Sequence, residues 1–232
     1  MPEQIRERLA RVREEIARAA ERAGRSADEI TLIAVSKTFD SEIVQQAVTA
    51  GAQDLGENRV QEAISKAPLI TGNVRWHLIG NLQSNKARQA VTTFDVIHTI
   101  DRSDLVLRLD RIAGELGRQP RVLMQVDLGH EPTKSGADEA DLPGIIEALD
   151  ASRHLQFIGL MTLPPFFDSP EQTRPYFKRL REIRDQLNRA RSGQKALTEL
   201  SMGMSHDFEI AIEEGATMVR VGTAIFGSRL NK

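Results

Sequence analysis

Apolar residues recur at intervals of three and four over the first segment: Ile5, Leu9, Val12, Ile16, Ala19 and Ala23, with Arg and Glu between them. That spacing puts one apolar stripe on a helix, and Gly24 is suited to end it. Such a stripe ordinarily packs on its own domain; a dimer contact is the other reading. Beyond Gly24 the pattern changes. Short apolar runs suited to buried strands fall at residues 30–36, 52–57, 74–80, 95–100, 121–128, 155–161, 197–201 and 217–222. A helix-like stretch follows each, and only a short segment follows the last. Gly51 after residues 41–50 and Gly117 after residues 103–116 stand where helices end. Ser169-Pro170-Glu171-Gln172 predicts an N-cap, a proline at the first helical position and a capping-box glutamine. Pro175 should then kink that helix or delay its start. Ser205 is placed to cap a helix over 207–214, with Asp207 and Glu209 at its positive end.

Strand and helix alternating in this way predict a parallel sheet with helices outside it. Eight such units predict the α/β class and a closed (β/α)8 TIM barrel, with an extra N-terminal helix. A doubly wound open sheet is the alternative, and it usually has fewer strands. No linker, low-complexity tract or short-period repeat interrupts the chain, and the proline-rich stretch 163–170 suits a long loop after strand six. Residues 1–232 are therefore expected to form a single domain.

Composition narrows the function classes. Lys and Arg number 31 against 33 Asp and Glu, so no positive surplus points to nucleic acid or an anionic membrane surface. The absence of Cys excludes disulfides, thiolate zinc sites, iron–sulfur clusters and cysteine nucleophiles. No apolar run approaches the ~18 residues of a membrane span. The first residues are too charged for a signal-peptide core and too acidic for a transit peptide, so a cytoplasmic protein is expected.

In a barrel of this kind the active site lies at the C-terminal ends of the strands. Lys37 follows the first strand, and Ile33, Val35 and Lys37 share one parity and hence one face. If that face is inward, the amine enters the barrel mouth, where desolvation favours a nucleophilic lysine and a Schiff base. A solvated lysine at a strand end is the bland alternative. Arg220 sits within Met218-Val219-Arg220-Val221-Gly222, where apolar residues are expected. An inward Arg must find acceptors: a core carboxylate such as Glu57, or a ligand atom such as a cofactor ring nitrogen. Gly222-Thr223-Ala224 opens the last segment, where backbone N–H groups at a helix start can cradle phosphate. Ser201 is positioned to add a hydroxyl from strand seven. An ordinary tight turn is the alternative there. Together these groups meet the needs of pyridoxal 5′-phosphate: an amine for its aldehyde, Arg220 for its ring nitrogen, and Ser201, Gly222 and Thr223 for its phosphate. A Schiff-base aldolase would also use a lysine and a phosphate site, with less need of a mid-strand Arg.

Four stretches also carry a resemblance. AVSKTF around Lys37, GENRVQE at 56–62, WHLIGNLQSNK at 76–86 and LSMGMSHDFEIAIEEGATMVRVGTAIFG at 200–227 closely resemble the pyridoxal phosphate homeostasis protein family, itself similar to the barrel domain of alanine racemase. The resemblance implies one (β/α)8 barrel with pyridoxal phosphate on Lys37, Arg220 at the ring nitrogen, and Ser201, Gly222 and Thr223 at the phosphate. It places Asn58 and His77 in motifs near the cofactor. Lys134 matches a lysine associated with secondary cofactor binding or transfer. It implies a non-catalytic protein that buffers the cofactor or delivers it to recipient apoenzymes; a monomer or weak dimer is expected.

A minimal amino-acid racemase is the competing reading. Alanine racemase, however, has a second β domain and takes a tyrosine base from its partner. With Lys232 coming just after strand eight no such domain is expected here, and the only tyrosine, Tyr176, falls on the helix after strand six. His77 is the remaining candidate for the second proton-transfer group. An Arg at the ring nitrogen also favours an unprotonated ring, a weaker electron sink.

Overall fold

Eight parallel strands close in sequence order into one barrel in the computed structural model, which describes residues 2–130, 135–191 and 193–227. The strands are β1 (Thr31–Val35), β2 (Asp54–Glu57), β3 (Arg75–Leu78), β4 (Val96–Ile100), β5 (Arg121–Gln125), β6 (Gln156–Met161), β7 (Glu199–Met204) and β8 (Met218–Val221). Each lies on its expected apolar run. The principal difference is β7, which starts two residues later and runs three residues further, bringing Met202 to Met204 into the sheet. Ile33 pairs with Asp54 on one side and Arg220 on the other, which closes the barrel between β8 and β1.

The helices are α1 (Pro2–Arg22), α2 (Ser41–Thr49), α3 (Val60–Lys66), α4 (Ala87–Thr93), α5 (Ser103–Leu116), α6 (Leu142–Ala151), α7 (Arg174–Ala190), α8 (Phe208–Glu213) and α9 (Thr223–Phe226). The α1 stripe is spent within the chain: Ile5, Leu9, Val12, Ile16 and Ala19 are buried in the main core. Gly117 ends α5 in the left-handed conformation, as a helix-closing glycine does. Two capping expectations are corrected. Ser169 makes no side-chain cap; a 3-10 turn, Pro170–Thr173, intervenes, and α7 begins at Arg174 with Pro175 in its first turn. Ser205 does not cap α8, because its hydroxyl is engaged with the start of α9.

Two apolar regions hold the fold. The larger lies between strands and helices, and a smaller one, built from Ile33, Val96, Leu123, Ile158, Met161 and Met218, fills part of the barrel interior. Burying such side chains contributes roughly 1.5–3 kcal/mol each. The remaining inward positions include polar residues, unusual for a packed barrel core, and these make the site.

Candidate functional site

Lys37 leaves the barrel just beyond β1. Ile33 belongs to the interior cluster, and a Cβ on Gly56 of β2 would touch the side chains of Ile33 and Val35, so this parity faces inward. Lys37 is half-buried, between the fully buried Ser36 and Thr38, whose φ of 70° lies in the left-handed region. A polar bracket holds both neighbours. The Ser36 hydroxyl donates to Glu57 Oε1 at 2.7 Å, and the Thr38 N–H donates to Glu62 Oε2 at 2.8 Å. Lys66 Nζ donates to the Ser36 carbonyl at 2.9 Å and to Glu57 Oε1 at 2.8 Å. Thr38 thus keeps an unfavourable backbone conformation because hydrogen bonds fix the residues around it. Burial pushes the Glu57 carboxyl up, against the pull of Lys66 and Ser36, and its Oε2 is buried without a partner.

Arg220 points into the barrel and is 3% exposed. It does not pair with Glu57, whose cation is Lys66. Its Nη1 donates to Ser201 Oγ at 2.6 Å and its Nη2 to the Thr162 carbonyl at 2.9 Å. Both acceptors are neutral. Burial pulls the guanidinium down to about 10, offset only in part by the Asp207 carboxylate. A buried cation held by neutral acceptors is well suited to face an acceptor atom of a ligand.

The start of α9 lies beside the Lys37 strand: a Cβ on Gly222 would come within 3.4 Å of Val35. Ser205 Oγ accepts from the N–H groups of Gly222 at 3.2 Å and Ala224 at 3.5 Å. An oxygen therefore already meets these backbone donors, in the manner of a phosphate oxygen. Ser201, the hydroxyl expected here, instead lies fully buried between Arg220 and His98. The offset follows from the longer β7, which carries Ser201 into the barrel and leaves Ser205 at the rim.

His77 is 1% exposed and has both ring nitrogens engaged, with Asp54 at 2.8 Å and His98 at 2.9 Å. It sits within the barrel rather than at its mouth. Asn58 is half-buried just after β2, and its backbone passes so close to Gly80 that a Cβ there would lie 2.2 Å from the Asn58 carbonyl oxygen. Only glycine fits that approach. Asn58 shares a cleft with Arg59, Asn81 and Lys86 on the β2–β3 side of the mouth. Lys134 lies outside the described residues. Thus Lys37, Arg220, Gly222 and Thr223 belong to one end of the barrel, Asn58 to its rim, and Ser201 and His77 to the interior.

Several residues of the arrangement were not singled out from sequence. Glu62 and Lys66, four apart on α3, carry the ordinary signal of a surface ion pair. Asp54, His98 and Thr162 are polar residues in otherwise apolar strands or at their ends, with no sequence mark of their partners.

The model of the alanine racemase N-terminal domain matches residues 8–230. A pyridoxal phosphate homeostasis protein of Aquifex aeolicus is 43% identical over 224 residues, 96% of this chain and 97% of its own. PipY of Synechococcus elongatus, solved with pyridoxal phosphate bound, is 43% identical, with a TM-score of 0.86 over 97% of this chain and 100% of that one. An alanine racemase of Clostridium difficile shares the fold at 18% identity and a TM-score of 0.76, with 58% of its length covered.

Proposed function

From a chain that belongs to the alanine racemase N-terminal domain family, we propose a single barrel unit spanning residues 1–232 that binds pyridoxal 5′-phosphate and serves its homeostasis, buffering or delivering the cofactor. The observation that carries this reading is the full-length similarity to PipY, solved with pyridoxal phosphate bound. The residues present fit that group. The buried Arg220 guanidinium is held by neutral acceptors and suits a pyridine nitrogen. The N–H groups of Gly222 and Ala224, now satisfied by the Ser205 oxygen, suit a phosphate, with Thr223 beside them. When bound, the cofactor supplies an aldehyde that condenses with the Lys37 amine to a Schiff base with release of water.

The chain's own groups do the rest. The bracket of Glu57, Glu62 and Lys66 fixes the backbone on either side of Lys37 and so orients its amine. Asn58 borders the mouth, and Lys134 is proposed as a secondary cofactor lysine on the strength of its motif. Cofactor and recipient apoenzymes are the proposed partners, in the cytoplasm. No helix among the described residues is long and apolar enough to cross a membrane. A monomer or weak dimer fits α1, whose apolar stripe is covered by its own barrel.

A catalytic role as a racemase is disfavoured by His77. Racemisation needs proton-transfer groups on both faces of the substrate α-carbon, and Lys37 can serve one. His77, the candidate for the other, has both nitrogens committed inside the barrel. The test is incubation of the cofactor-loaded protein with single amino-acid enantiomers in deuterated water. The carrier reading expects at most slow exchange without inversion. Lys37-dependent inversion with deuterium incorporation would overturn it in favour of an enzyme.

A further inference from the structure

The barrel interior contains one continuous chain of polar side chains. It starts at Asp54, the first residue of β2, and passes through His77 on β3, His98 on β4 and Ser201 on β7 to Arg220 on β8. The contacts are His77 Nε2 to Asp54 Oδ1 at 2.8 Å, His77 Nδ1 to His98 Nε2 at 2.9 Å, His98 Nδ1 to Ser201 Oγ at 2.9 Å, and Arg220 Nη1 to Ser201 Oγ at 2.6 Å. Every member is buried. Arg75, half exposed beyond the far end, grips both Asp54 oxygens, with Nη2 on Oδ2 at 2.8 Å and Nε on Oδ1 at 2.7 Å.

The chemistry of the two ends decides the direction of every bond. An arginine can only donate, and an ionised carboxylate can only accept. Between them stand one hydroxyl and two imidazoles. Four contacts need four hydrogens, and with both imidazoles neutral there is one arrangement that supplies them. Arg220 donates to Ser201, Ser201 to His98 Nδ1, His98 Nε2–H to His77 Nδ1, and His77 Nε2–H to Asp54. Burial holds both imidazoles below the ordinary histidine range, which keeps them neutral. Burial opposes the Asp54 charge, but hydrogen bonds from His77 and Arg75 hold its carboxyl below the ordinary range, so it stays an acceptor. The Ser201 hydrogen is thereby committed to His98, and its lone pair is offered to Arg220.

We propose that Asp54, His77, His98 and Ser201 form a one-way hydrogen-bond relay that positions the Arg220 guanidinium at the barrel mouth, with Asp54 setting its direction from the far side of the interior. These are positioning residues: they act on a ligand only through Arg220. The relay explains why a barrel core spends polar residues on four strands, since removing any one leaves its neighbours buried and unsatisfied. Its effect on a cofactor rests on the pyridoxal phosphate reading; its direction does not.

Two measurements separate those claims. The first uses cofactor-free wild-type protein labelled with 15N-histidine, its imidazole resonances assigned through the backbone. His77 and His98 are expected as neutral rings carrying hydrogen on Nε2 at pH 7. A hydrogen on Nδ1 of either, or a cationic ring, would overturn the relay whatever the protein binds. The second titrates pyridoxal phosphate and pyridoxal into wild type, Asp54→Ala and Asp54→Asn. Asn keeps an acceptor oxygen for His77, so Asp54→Asn should stay within about twofold of wild type. Asp54→Ala should weaken both ligands by the same factor, on the order of three- to tenfold, because the loss acts at the ring side. Equal binding by wild type and Asp54→Ala would refute the positioning role. A wild type that binds neither ligand, with both Nε2 hydrogens in place, would sink the cofactor reading and leave the relay's direction standing.

Discussion

Ser201 and Ser205 lie four residues apart on one strand and its exit, yet the barrel separates their roles. Ser201 is fully buried on Arg220 and His98, while Ser205 meets the backbone donors at the start of α9. The Ser205 hydroxyl also carries a hydrogen that it can give to a phosphate oxygen beside those N–H groups, so Ser205→Ala should weaken pyridoxal phosphate far more than pyridoxal, a hydrogen bond to a charged group being worth about 1.5–3 kcal/mol. Ser201→Ala should weaken both alike. Fluorescence titration with the two ligands checks the pair, and a phosphate-selective loss in Ser201→Ala would reverse the assignment. Arg220 was legible in the sequence because a cation among apolar strand residues violates the expected pattern, and Lys37 because it continues the parity of Ile33 and Val35 just past the strand. Ser205 was not, because a serine before an acidic helix start has a simpler reading as a cap. His98 was not, because its hydroxyl partner is 103 residues away and nothing local in Val-Ile-His-Thr-Ile marks it.

At the level of elements, α3 supports the loop that carries Lys37. Lys66 at its end is 7% exposed and neutralises Glu57, which is wholly buried. Removing one partner of a buried ion pair typically costs about 3–5 kcal/mol. For Lys66→Met the cost falls toward the lower end, because Glu57, its carboxyl already pushed up by burial, can take a proton. Urea unfolding at neutral pH should show that loss; a midpoint unchanged from wild type would mean the bracket contributes little. The strands themselves were readable because their apolar centres are continuous. Their ends were less so, because the residues at the mouth are chosen for the site. β7 shows this best: Ser201 and Gly203 interrupt the apolar run, yet the strand continues through both to Met204. The delayed start of α7 was legible because Pro175 suits only the first turn of a helix.

For the molecule as a whole, the buried histidines tie stability to pH. Both lie below the ordinary imidazole value in the native state because of burial; Asp54 opposes this at His77, while Arg75 and Arg121 reinforce it there and His77, Arg220 and Arg121 do so at His98. The unfolded chain takes up protons near pH ~6.5, where the native barrel does not. The unfolded state then binds more protons, so stability is full above that pH and falls as pH drops toward the native values. Each pKa unit of depression corresponds to about 1.4 kcal/mol. Thermal unfolding from pH 7.5 to about 5 should show a decline in Tm that is smaller in His98→Gln; equal declines would show that His98 does not contribute. The architecture as a whole was legible from eight apolar runs alternating with helical stretches, whereas the interior chain was not, because it is made by barrel closure across strands remote in sequence. The central claim is that this barrel holds pyridoxal phosphate through Lys37. The most direct measurement is the visible absorption spectrum of the cofactor-loaded protein before and after borohydride reduction, followed by peptide mapping. The account predicts a visible band that reduction abolishes, a stable label on Lys37, and loss of both in Lys37→Ala. A label on another lysine, or a Lys37→Ala protein with unchanged spectrum and labelling, would contradict it.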